Sequence, residues 1–174
     1  MAWAIWLAMN IDSGATMRFK TPVWMLMTAL MIDGAAVRAQ STNEKDYIVP
    51  VYSGPRAKPD FARSGPKFSR FRTAITDGFK SNEIAAGHYT IITIGCGTGC
   101  TFNVVGDVQT GELFEFPIGG EFYQSLEIIT RSNSRLMVAR WGASYDNECT
   151  GRIYALQGTK FTQIGKDRRK GSNC

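Results

Sequence analysis

Hydrophobic positions change their period twice along the chain. Between Lys67 and Lys80, Phe68, Phe71, Ile75 and Phe79 recur at intervals of three and four, the spacing that lines one face of a helix. Pro66 suits the first turn, and Lys80 stands where the negative end of the helix dipole favours a cation. Arg70, Arg72, Thr73, Thr76 and Asp77 take the other faces, and Gly78 weakens the last turn. An aromatic stripe of this kind reads as core packing, each buried side chain contributing about 1.5–3 kcal/mol.

From Tyr89 the pattern becomes short β segments separated by turn residues, expected near 89–95, 101–108, 112–117, 125–130, 135–141, 152–157 and 160–164. Gln109-Thr110-Gly111 and Gln157-Gly158-Thr159 read as hairpin connections, with glycine available where φ must be positive. Arg131-Ser132-Asn133-Ser134 makes another turn. Leu136, Val138 and Arg140 alternate with Arg135, Met137, Ala139 and Trp141, so one face of that strand is core and the other mixed. Connections this short favour an antiparallel meander, since a parallel crossover takes about a dozen residues. The expected fold is therefore α+β: an antiparallel, curved β-sheet of about six or seven short strands with one amphipathic helix packed on it and disulfides stapling it.

Residues 40–66 differ in carrying Pro50, Pro55, Pro59 and Pro66 among glycine, serine and scattered charge. This stretch reads as an extended N-terminal arm, with Tyr47-Ile48-Val49 and Val51-Tyr52 able to lie across a surface or add an edge strand. Residues 67–174 then form a single domain. Ahead of the arm, Met17-Arg18-Phe19-Lys20 is a short basic segment, and a weakly polar to apolar run follows from Pro22 to Ile32. Val37-Arg38-Ala39 places small side chains at the −3 and −1 positions before Gln40, the layout of a secretory signal peptide over 17–39. The apolar run falls short of the ~20 residues that span a bilayer. Residues 1–16 do not fit that layout and read as an upstream extension, making 1–39 a leader and the expected location periplasmic or secreted.

The formal net charge is +5. Much of the excess lies in Lys166-Asp167-Arg168-Arg169-Lys170, read as a solvated basic C-terminal tail. Weak contact with an anionic surface could run through Lys166, Arg168, Arg169 and Lys170, whereas nucleic acid is not an expected partner of an exported protein. All four cysteines lie beyond the leader, and an even count in an oxidising compartment argues for two disulfides. Three connectivities are open; Cys96–Cys100 with Cys149–Cys174 is expected, the first closing a small loop and the second tying down the tail.

Three stretches are candidates for chemistry. His88, between Gly87 and Tyr89, is the single histidine: a general acid/base or inhibitory finger on one reading, a backbone anchor on the favoured one. No second imidazole exists for a His-rich metal site, and no Gly-x-Ser-x-Gly elbow supplies a nucleophile, so neither metal nor cofactor is expected. Cys96-Gly97-Thr98-Gly99-Cys100 has one residue too many for a thioredoxin-type Cys-x-x-Cys. Three small residues in a closed ring leave backbone N–H groups exposed, able to bind an anion or enter a partner's cleft. The loop from Trp141 to Cys149 carries Asp146 and Glu148, which read as solvated acids of a turn rather than a glycosidase pair.

Gly87-His88-Tyr89, Gly95-Cys96-Gly97-Thr98-Gly99-Cys100, Thr110-Gly111 and Trp141-Gly142 together resemble a family of small exported bacterial proteins of unassigned function. Those proteins share a Gly-His-Tyr segment, a Gly-Cys-Gly-Thr-x-Cys loop and a strand–Thr-Gly–strand hairpin, and the likeness covers roughly 67–164. It implies export and fold rather than activity. A weaker resemblance is to the Ivy-type periplasmic inhibitors of vertebrate lysozyme, which set a Cys-closed loop between two strands and carry in it a histidine that enters the enzyme's cleft. Here the loop is one residue shorter and holds no histidine.

The expectation is a binding or inhibitor-type protein acting on a protein or envelope partner through the 96–100 loop, with His88, Gly97, Thr98, Gly99 and Trp141 as binding residues. The alternatives are a small cell-envelope hydrolase using His88 with an acid such as Asp107 or Asp146, and a structural envelope protein.

Overall fold

A computed structural model describes residues 43–142 and 148–171. The expected leader over 1–39 lies outside the described residues.

The helical period becomes a 3₁₀ segment, Pro66–Phe71, running directly into helix α2, Arg72–Lys80; a single turn, α1, Phe61–Ser64, precedes them. Phe68, Ile75 and Phe79 are buried as the stripe predicts, and Phe71 stacks edge-on against Phe102 with ring centroids 5.1 Å apart. The strands are β1 Tyr89–Gly97, β2 Cys100–Asp107, β3 Leu113–Glu115, β4 Glu127–Arg131, β5 Ser134–Trp141, β6 Glu148–Gln157 and β7 Lys160–Gly171. All adjacent pairs are antiparallel.

The α+β class and seven antiparallel strands agree with the sequence pattern. The single sheet does not: the strands form a three-stranded sheet, β1-β2-β3, and a four-stranded sheet, β4-β5-β6-β7. The break falls after Glu115, where Pro117 lacks an N–H for a ladder and Gly119-Gly120 gives the chain a turn before the next strand.

Both faces of the smaller sheet are covered. Ile92, Ile94, Val104 and Leu113 project towards Phe68, Ile75 and Phe79 in one core cluster. Their alternates, Tyr89 and Val105, join Phe116 in packing against Met137, Ala139, Tyr154 and Leu156 of the larger sheet. Period-2 alternation therefore divides β1 and β2 between two cores, with the helix on one side and a second sheet on the other. Two glycines let the helix approach closely. A Cβ at Gly78 would overlap the Ile92 side chain, and one at Gly106 would overlap the Phe79 ring.

The arm is held along its length. Ile48 bridges Ser134, and Val49 N–H donates to Asn133 O at 3.0 Å. Tyr52, Ala57 and Asp60 N–H then donate to the carbonyls of Gly87, Val108 and Gly111, each at 2.8 Å. The arm thus runs from the four-stranded sheet to the three-stranded one, with short helical turns at Glu44–Tyr47 and Phe61–Ser64.

The basic tail is a correction. Lys166 to Lys170 belong to β7, paired with β6 in a register that sets Arg168 opposite Gly151 and Lys170 opposite Cys149. Its hydrophobic alternation stops at Ile164 because β7 is an edge strand, and charge on an exposed edge opposes pairing with other chains. The β6–β7 register shifts between Gly151 and Ile153, and there the Arg152 guanidinium clamps the two strands by donating from Nε and Nη2 to the two carboxylate oxygens of Asp167, at 2.7 and 2.6 Å.

Replacing Gly106 with alanine forces the Phe79 ring off its seat. The variant is expected to keep the native circular dichroism spectrum and lose about 1–3 kcal/mol in urea unfolding, the usual range for overpacking. An unchanged midpoint would mean that helix and sheet are not in close contact there.

Candidate functional site

The candidate residues separate into two places. Gly97, Thr98 and Gly99 sit at the β1–β2 hairpin tip, closed by the Cys96–Cys100 disulfide with Cα atoms 5.1 Å apart. His88 lies before the other end of β1. At about 3.3 Å per residue, the intervening strand puts roughly 30 Å between them. They do not make one site.

At the tip, Gly95 through Gly99 are exposed, whereas Cys100 is buried. The loop between β3 and β4 is laced onto it: Gly120 N–H donates to Thr101 O at 2.8 Å, and Ser125 N–H to Gly99 O at 3.1 Å. Phe122, at the crest of that second loop, is 93% exposed, more than any other large hydrophobic residue described. Trp141 belongs here too. Its ring meets Tyr123 edge-on at 5.1 Å, the Arg152 guanidinium lies 5.2 Å from its centroid, and the adjoining Gly142 N–H donates to Gln124 O. Asp167, by accepting from Arg152, is held below the ordinary carboxylate range, and Arg152 is held correspondingly above its own. A locked cation therefore supports the tryptophan beneath the tip. Phe122 was missed in the sequence because it interrupts no period; the aromatic pair Phe122-Tyr123 directly after Gly119-Gly120-Glu121 was the available signal.

The second place is a cleft of about 520 Å³ between arm residues 49–54, His88, Tyr89, Arg135 and the turn at Gln157-Gly158. Gly87, with φ of +93°, turns the chain into it, and a Cβ there would press on Val49 and Pro50 of the arm. His88 Nδ1 lies 2.9 Å from Oδ1 of Asp107. The carboxylate is fixed in turn, since the same oxygen accepts from Gln109 N–H at 2.8 Å. A carboxylate only accepts hydrogen bonds, so this contact puts a proton on Nδ1 and leaves Nε2 as the atom available to a ligand. The His88 ring lies over Tyr89 with centroids 4.1 Å apart. Of the two acids considered as partners of His88, Asp107 is the one brought to it; Asp146 lies outside the described residues.

Cys149 is buried and disulfide-bonded, while its expected partner Cys174 lies outside the described residues. Among the described residues no three His, Cys, Asp or Glu side chains gather as a metal site, and no helix is long and apolar enough to cross a membrane.

The chain matches no known family model, no curated protein and no solved structure.

Burial, with the Asp107 and Glu112 carboxylates nearby, pushes the Tyr89 phenol up to about 12; its hydroxyl donates to Gly158 O at 3.0 Å. In the unfolded chain the same phenol ionises near its ordinary value of 10, so between 10 and 12 the unfolded state binds fewer protons. Stability is therefore expected to fall as pH rises through that window. Thermal melts should show a shallower decline for Tyr89→Phe than for the wild type; identical slopes would place the phenol in water rather than in the core.

Proposed function

We propose that the protein is an exported binding protein that inserts the stapled 96–100 loop and Phe122 into a recess of a protein or envelope partner. The carrying observation is the pairing of two unlike elements at one end of the molecule: a disulfide-closed loop of small exposed residues, and an almost fully exposed phenylalanine in a loop that is hydrogen-bonded beside it through the backbones of Gly120 and Ser125. Exposing an aromatic side chain to water is unfavourable, and a rigid aromatic anchor supplies much of the energy of a protein interface. The staple and the lacing hydrogen bonds limit the entropy lost on docking. Small side chains at Gly97, Thr98 and Gly99 allow close backbone approach. Export is supported by the basic-apolar-small order of residues 17–39 and by the even cysteine count.

The tip resembles Ivy-type inhibitors in having a Cys-closed loop between strands, but His88 lies before the far end of β1, too distant to act as an inhibitory finger of that loop. The chemistry of such a finger would have to come from Phe122 instead.

A hydrolase reading is favoured by one observation, the His88–Asp107 pair opening on the arm cleft. There His88 Nε2 would take a proton from a water whose oxygen adds to an ester carbonyl carbon as the C=O π pair moves onto its oxygen. It would give that proton to the alkoxy oxygen as the C=O re-forms, the ester C–O bond breaks and the alcohol leaves, with Asp107 stabilising the intervening imidazolium.

One experiment separates the readings. Immobilised wild type, Phe122→Ser, Thr98→Arg and His88→Ala are exposed to an envelope extract of the producing cells, and captured species are quantified by mass spectrometry. Surface substitutions such as Phe122→Ser are expected to move stability by no more than about 0.5 kcal/mol. The binding reading predicts a species retained by wild type and His88→Ala and depleted at least about tenfold by both tip variants, a loss of about 1.4 kcal/mol or more. Retention by both tip variants, or loss with His88→Ala alone, would remove the tip from the function and transfer it to the cleft.

A further inference from the structure

A second cleft, of about 400 Å³, lies on the helical side of the molecule and shares no lining residue with the tip or with the His88 cleft. Its apolar lining comes from Ala57 and Pro59 of the arm, Phe61 of α1 and Phe79 of α2. Four cations also line it: Arg56, Lys58, Arg72 and Lys80. The size falls in the range of small-molecule sites, which pair an apolar lining with a few placed polar groups.

The cations are not placed to satisfy one another. Arg56 donates from Nε to Phe79 O at 2.9 Å, at the C-terminal end of α2, which fixes its guanidinium at the cleft. Its Nη2 is buried with no acceptor. Arg72 lies over the Phe61 ring, 4.1 Å from the centroid, and makes no ion pair among the described residues. Lys58 is exposed and makes none either among the described residues, whereas Lys80 pairs with Asp77 at 2.8 Å. Asp60, the nearby acid of the arm, caps α1 by accepting from Arg63 N–H. Asp77 thus offsets one of the four cations, no carboxylate is among the described residues that line the cleft, and a guanidinium nitrogen is left without the hydrogen bond that a buried donor requires.

We propose that this cleft binds a small amphiphilic carboxylate, its alkyl or aryl body against Phe61, Phe79 and Pro59 and its head group among Arg56, Arg72 and Lys58. The apolar body removes aromatic surface from water. The carboxylate accepts charge-assisted hydrogen bonds from groups that otherwise repel one another, and guanidinium forks suit it geometrically. The two parts of the ligand match the two parts of the lining, which neither an inorganic anion nor a neutral hydrocarbon would do. This inference is independent of the tip reading, because no residue is shared.

The test uses octanoate and its neutral counterpart 1-octanol as probes, titrated into the isotopically labelled protein with amide shifts followed by nuclear magnetic resonance. Octanoate is expected to shift amides in 56–61 and 72–80 saturably, with a dissociation constant about tenfold or more below that of octanol. The double substitution Lys58→Gln/Arg72→Gln, on two exposed side chains, should weaken octanoate about tenfold and leave octanol unchanged. Phe122→Ser should alter neither. Equal affinity for the two probes, octanoate shifts located elsewhere, or no saturable octanoate shift at millimolar concentration would overturn the assignment.

Discussion

Val104 and Val105 are neighbours in β2, both fully buried and facing opposite ways. The rest of the structure depends on that two-sided burial. A strand whose adjacent side chains are both inaccessible requires a packed layer on each face, and here the layers are the Pro66–Lys80 helical segment and the four-stranded sheet. β2 is also the central strand of its sheet, bonded to β1 and β3. The β1–β2 hairpin is therefore fixed by ladders at its sides and cores above and below, and its tip extends from the best-anchored part of the molecule. A rigid root makes a five-residue disulfide loop useful as a contact: it is presented in one place rather than searched for.

The same packing places the other features. Phe79 rests on Gly106 of β2, and its carbonyl holds Arg56, so the seating of the helix also sets a cation of the helical-side cleft. The arm fixes the His88 cleft by bonding to Gly87 and Val108 on either side of the imidazole. The edge strand β7 contributes little to either core beyond Phe161 and spends its length on charge. Arg152 is the exception, since it reaches from β6 to Asp167 on one side and to Trp141 on the other.

Much of this was legible because it is periodic. The aromatic stripe of 68–79 specified a helix and its buried face, and each of the seven strands had a segment of alternation or apolar run at its place. What escaped was what periodicity does not encode. The division into two sheets depends on tertiary layering; its local traces are slight, the Val104-Val105 doublet in β2 and the Pro117 and Gly119-Gly120 break after β3. The final residues of β7 are polar because they face water at an edge, so charge there resembled a free tail. The His88–Asp107 contact follows from the β1–β2 register, which a sequence supplies only once the hairpin is known. That register also carries His88 away from the loop it was grouped with, since a strand of this length separates what a short count of residues keeps together. Phe122 was invisible for a different reason, because exposure has no period.

The account rests on the claim that β2 is sealed between two layers. Amide hydrogen exchange followed residue by residue under native conditions tests that claim directly. Val104, Val105 and Gly106 have ladder partners on both sides, and their amides should be among the slowest in the chain, opening only with global unfolding, while those of Arg168 to Lys170 on the exposed edge exchange far sooner. If the β2 amides instead exchange as readily as those of the β7 edge, the two-layer seal is absent, and the tip has no rigid root.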